Sequence, residues 1–132
     1  MTSDFGVHWI AISIGWMVDF SLRMLIQVAI AWLGLTAFFT APGASNPAHL
    51  IIIGLVLLST GLGGVIAAQV AERAEVLNGM LVGVVGILAV AASSLGLQPT
   101  PLVMIVVQVL SLATGALGGL VVRQVRLKAH AE

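Results

Sequence analysis

The octapeptide AERAEVLN (71–78) sets Glu72, Arg73 and Glu75 between two long apolar runs. Residues 48–70 before it and 78–97 after it contain no Asp, Glu, Lys or Arg. About 20 apolar residues cross the hydrocarbon core of a bilayer as a helix. The stretch therefore reads as the wet turn of a membrane-spanning helical hairpin. Two further breaks flank that hairpin: TAPGASNPAH (40–49) and LQPTP (97–101), both rich in turn formers. They divide the chain into four apolar segments, residues 9–39, 48–70, 78–97 and 102–122. Only helices and closed barrels satisfy the backbone inside lipid, and the alternation a barrel needs is absent from the sequence. The expected fold is an all-α membrane protein, one compact domain of four transmembrane helices.

Composition agrees. The chain has 132 residues, 60% hydrophobic and 8% charged, with mean hydropathy +1.17. That is too little charge to coat a water-soluble domain. Formal net charge is zero, which leaves no basic face for nucleic acid. There is no cysteine, so disulfides, thiolate nucleophiles and Cys-held metal are excluded. The start MTSDFGVHW has no positive region and is not expected to act as a secretory signal.

Orientation follows from Lys and Arg. Arg73 lies in the second connection, and Arg123, Arg126 and Lys128 lie in the tail, whereas the first and third connections have no Lys or Arg. The positive-inside rule then places both termini and the Arg73 turn on the cytoplasmic side of a bacterial inner membrane.

The first segment is too long for one crossing: 31 residues make a helix of about 46 Å against a core of about 30 Å. Two frames are open. In the preferred one Phe38 and Phe39 mark the outer boundary, and Trp9 and Trp16 belong to an inner aromatic belt. Asp19 and Arg23 then sit near the headgroups, where desolvation costs least. In the other frame residues 9–31 span, and Asp19 lies near mid-membrane.

Asp19, Arg23 and Gln27 are spaced i, i+4, i+8 and share one helix face. The first two can pair along the helix and so lower the cost of either charge. The stripe is a candidate partner contact, or a cation or proton site. Gln108 is a second mid-span amide. Small residues recur every fourth position: Thr60, Gly64 and Ala68, then Gly79 and Gly83, then Ser111, Gly115 and Gly119. Such rows let helices approach closely and mark packing seams. LGGVIAAQV (62–70) also aligns without a gap with LGGLVVRQV (117–125), a weak sign of two parallel repeated hairpins.

His8, His49 and His130 fall outside span centres and on different segments, so no metal site is expected. No cofactor is predicted, although lipid, quinone or pigment at the helix seams is compatible with the sequence. No nucleophile is legibly paired with a base, and GLGG (61–64) lies within a helix rather than in a phosphate-binding loop. An enzyme is not expected.

Two stretches carry a resemblance. HWIAISIGWMVDF (8–20) is similar to a Trp-x(5,6)-Gly-x(2,3)-Asp opening, and GGVIAAQVAERAEVLNGMLVG (63–83) to a Gly-Gly-x-x-Ala-x-x-x-Ala-x-Arg-x-x-x-x-Asn/His-Gly centre. With these motifs the chain resembles small uncharacterised bacterial four-helix integral membrane proteins. The resemblance implies four helices and a central hairpin turning at Arg73; it implies no activity.

The sequence thus leads first to a non-catalytic accessory or scaffold subunit of a larger inner-membrane complex. Its partners would be lipids and other integral membrane subunits. It would dock through Trp9, Trp16, the Asp19 stripe and the small-residue seams. Deleting residues 1–16 is expected to release the partner and leave the bundle folded. The alternative is a small homo-oligomeric ion- or proton-coupled transporter or channel that uses Asp19.

Overall fold

Gly34 decides where the first span ends. In the computed structural model, which describes residues 5–93 and 100–131, helix α1 runs Trp9–Trp32. Gly34 then takes φ +71°, donates its amide to the Ala31 carbonyl, and Leu35 donates to Ile30. These two bonds are a Schellman stop, which glycine enters without the steric cost of a Cβ. The expectation of one helix over 9–39 is therefore corrected. Phe38 and Phe39 belong to a separate turn, α2 (Ala37–Thr40), which folds Phe38 back against Ile30 and Ile52. Three long helices follow: α3 (Pro47–Ala71), α4 (Glu75–Ser93) and α5 (Leu102–Ala129). Asn46 caps α3 by accepting from the Ala48 amide, with Pro47 in the first turn. Residues 94–97 of the third expected span lie outside the described residues.

Four of these helices are long and apolar enough to cross a membrane. The chain is a membrane protein with an all-helical bundle. α3 packs against α1, α4 and α5, and α4 also packs against α1 and α5. Consecutive long helices run antiparallel. One end of the bundle gathers Gly6, His8, the 72–74 turn and Arg126, while the other holds α2 and His49. The turn between α3 and α4 is tight, with Glu72 and Ala74 both at positive φ.

The α1 geometry bears on the length of the first crossing. Twenty-four residues give a helix of about 36 Å, a full crossing. Asp19 is its eleventh residue, near the middle of the helix. Mid-membrane depth is most costly for a carboxylate that faces lipid; this one faces α3. Trp9 is exposed at the end that carries Arg73, and Trp16 lies two turns further in, its ring tilted by 32° to that of Phe20 at 5.5 Å. Trp32, 86% exposed at the opposite end, is a further aromatic anchor, absent from the sequence-based expectation.

The small-residue rows meet one another. Along α4 and α5, Glu75 faces Gly119, Gly79 faces Gly115, and Gly83 faces Ser111, backbone against backbone. α3 joins at Gly64, which lies against Gly115, while Gly61 lies against Gly118. Ala68 is fully buried. Thr60, one turn before Gly64 on the same row, turns its hydroxyl to Asp19 and Arg23 of α1. A further close crossing, Gly15 on Gly63, holds α1 to α3. The repeated Gly-Gly pairs have exchanged environments: Gly64 faces α5 and Gly63 faces α1, but Gly119 faces α4 and Gly118 faces α3. Their contacts are not those of two superimposable hairpins.

Candidate functional site

Asp19 is 1% exposed, enclosed between α1, α3 and α4. Three donors converge on its Oδ1: Ser59 Oγ at 2.7 Å, Arg23 Nε at 3.0 Å and Thr60 Oγ1 at 3.1 Å. Arg23 Nη2 donates in turn to Thr60 Oγ1 at 2.6 Å, which leaves the threonine proton for Asp19. Ser59 Oγ also lies 2.7 Å from the Val56 carbonyl. With a single proton it favours the charged acceptor, since charge-assisted bonds are roughly twice as strong. Asp19 Oδ2 faces Gly86, 3.7 Å from where a Cβ there would stand, and Gly63 leaves room for the Asp19 Cβ.

Of the expected stripe, the structure joins Asp19 and Arg23 and separates Gln27. The i, i+4 pair forms, but it points into the bundle rather than towards a partner. Its second half comes from α3, where Thr60 reads in the sequence as a packing residue and Ser59 carries no signal. Arg23 is the less enclosed member, with 23% of its side chain exposed. Arg23, Gln27 and Gln108 line one cavity of about 220 Å³, together with Thr100 and apolar groups such as Ile30, Phe38 and Met104.

A second polar knot closes the other end. Asn78 is fully buried; its Oδ1 accepts from the His8 amide at 2.9 Å. Its Nδ2 donates to the carbonyls of Gly6, Arg73 and Ala74 at 3.0, 2.9 and 3.1 Å. Asn78 thereby ties the segment before α1 to the α3–α4 turn. The motif centred on Asn78–Gly79 signals a special position there, but not this role. Replacing Asn78 with alanine orphans the His8 amide and frees residues 5–8. Hydrogen exchange at the His8 amide is expected to rise by about tenfold or more while mid-α4 amides stay protected. Unchanged exchange at His8 would refute the tie.

The charged residues of the same end divide. Arg126 donates to Glu75 Oε1 at 3.0 Å and to the Gln69 carbonyl at 2.8 Å, satisfying one of the last carbonyls of α3. Arg73, Arg123 and Lys128 are exposed. Two of the histidines hold local structure: His8 Nδ1 accepts from the Ala11 amide as the cap of α1, and His49 Nδ1 accepts from the Gly43 amide while its ring meets Phe38 edge-on; His130 is exposed beside the Arg126 carbonyl. Among the described residues no three His, Asp or Glu side chains group to hold a metal.

Chemically, Ser59 beside a carboxylate has the outline of an activated hydroxyl. It is 2% exposed, at the wall of the apolar groove between α1 and α3, and its hydroxyl is engaged by Asp19 and the Val56 carbonyl. The cluster joins α1 to α3. Compared with known protein families, characterised proteins and solved structures, the chain matches none.

Proposed function

We propose that the protein is a non-catalytic accessory subunit of a larger assembly in a bacterial cytoplasmic membrane, with both termini inside. The observation that carries this reading is what Asp19, Asn78 and Arg126 are used for. Each bonds to another helix or to a connecting segment and so holds the bundle together. The orientation is supported by Arg73, Arg123, Arg126 and Lys128, which share one end of the bundle. A transporter centred on Asp19 needs access to that carboxylate, and its enclosure weighs against it.

The docking face differs from the one the sequence suggested. α1 buries Ala11, Ile12, Gly15, Asp19 and Ile30 against the bundle and turns Ile10, Met17, Met24 and Leu25 outward. That outward face is the surface offered to a partner. The expectation that residues 1–16 are dispensable for folding is withdrawn, because three of those inward residues lie in the first two turns of α1.

Native mass spectrometry of gently extracted membranes tests the proposal. The protein is expected at fixed stoichiometry with other integral membrane polypeptides. The paired substitution Met17→Trp, Met24→Trp, which reshapes the outward face and spares the core, is expected to abolish that association. Recovery as a monomer or homo-oligomer alone would overturn the reading.

A further inference from the structure

We propose that the cavity beneath Phe38 binds the head group of a neutral amphiphile through carbonyl acceptors. The protein leaves several donors unused there. Arg23 directs Nε to Asp19 and Nη2 to Thr60, so Nη1 has no acceptor among the described residues. The amides of Gln27 and Gln108 make no hydrogen bond among the described residues either. All three side chains line the same cavity, within segments that span the membrane. Inside a bilayer an unpaired amide is costly, and helices normally pair such groups with each other. Here three sets of N–H donors line one space that opens to the bundle surface, with Gln27 exposed and Arg23 and Gln108 half-buried, while among the described residues every fully buried side-chain N or O atom has a partner.

The chemistry of the ligand follows from charge and size. Arg23 is neutralised by Asp19, whose Oδ1 is sealed behind Ser59 and Thr60. An anion would bring an uncompensated charge into a low-dielectric site. A neutral acceptor carries no such cost and uses the donors directly. At about 220 Å³ the cavity lies below the roughly 300–1,000 Å³ of sites that enclose a whole drug-sized ligand, so it takes a head group only. Two of its wall residues, Ile26 and Ile30, also line an apolar groove of about 510 Å³ between α1 and α3, bordered by Leu25 and Leu55. An alkyl chain leaving the cavity past those residues finds that groove. Carbonyl acceptors on an alkyl chain are supplied by a quinone or by the esters of a glycerolipid.

The test is calorimetric titration of the full chain in detergent micelles with three probes: decylubiquinone, didecanoylglycerol and decylbenzene, which has the chain without an acceptor. One carbonyl probe is expected to saturate at one per chain, at least about tenfold tighter than decylbenzene. Gln27→Leu and Gln108→Leu are each expected to weaken it about fivefold. Neither amide bonds to the protein, so both variants keep the helical content of the parent and report independently. Saturation by decylubiquinone assigns a quinone head; saturation by didecanoylglycerol alone, with the same sensitivity, assigns a lipid ester. If no carbonyl probe surpasses decylbenzene, or both leucine variants bind as the parent does, the proposal is overturned and the donors are served by water.

Discussion

Asp19→Ala is expected to destabilise the bundle by about 3 kcal/mol, read as a shift in the midpoint of denaturant unfolding in micelles. Two effects compete to set that figure. The hydrogen bonds alone are modest: interhelical bonds in membrane proteins average about 0.6 kcal/mol, so the two from Ser59 and Thr60 amount to roughly 1 kcal/mol. The cation left behind weighs more. Breaking a buried pair by removing one partner costs about 3–5 kcal/mol, because the remaining charge is uncompensated. Arg23 is 23% exposed and can swing into the adjoining cavity, which places the cost at the lower end of that range. The same logic orders the other variants. Asp19→Asn keeps an acceptor for Ser59 and Thr60 and loses the charge, so it falls between Asp19→Ala and the parent. Asp19→Ala combined with Arg23→Met removes the orphan and is expected to recover at least about 1.5 kcal/mol relative to the single substitution, a coupling available only to groups in contact. If Asp19→Ala lies within about 0.5 kcal/mol of the parent, Asp19 does not fasten α1 to α3.

The class of fold is legible because lipid imposes one strong rule. Apolar runs near 20 residues, parted by AERAEVLN and the two Pro-rich breaks, leave no other architecture. What the sequence hides is mostly direction. Nothing in residues 19, 23 and 27 says which side of α1 they occupy; an inward Asp19 needs hydroxyls from α3 opposite it, and Ser59 and Thr60 look like ordinary small residues of a seam. The stop at Gly34 is visible in principle: a glycine followed by leucine after a 24-residue apolar run is a Schellman signature. It is hidden because glycines elsewhere in this chain serve packing rather than termination. The rows on the last two spans show their period, yet a row carries no label for its partner. That Gly79 meets Gly115 and Gly83 meets Ser111 follows only from the antiparallel register of α4 and α5. Asn78 is opaque because its acceptors, Gly6 and Arg73, lie on either side of α1 and α3 in the chain.

Gly115 offers the second large effect, and its sign is the informative part. In an unconstrained helix Gly→Ala stabilises by about 0.5–1 kcal/mol, since glycine loses more backbone entropy on ordering. Gly54, on α3, has nothing within 4 Å of an added Cβ, so Gly54→Ala is expected to show that gain. At Gly115 a Cβ would stand 2.5 Å from the Gly79 carbonyl oxygen, an atom of the backbone that cannot rotate aside. Relief requires α5 to withdraw from α4 by something on the order of 1 Å, and a gap of that size forfeits a quarter to a half of each dispersion contact it opens. Between helices in lipid, dispersion along the seam is a principal attraction, so the loss extends from Gly119 to Ser111. Overpacking of this kind costs about 1–3 kcal/mol. Gly115→Ala is therefore expected to destabilise by about 2 kcal/mol where propensity alone gives a gain. Gly115→Leu, whose branched side chain meets α3 at Gly64 as well as α4, is expected to leave no three-helix seam, read as loss of exchange protection along α4 and α5. Should Gly115→Ala stabilise as Gly54→Ala does, the close approach of α4 and α5 is not how this bundle is held together.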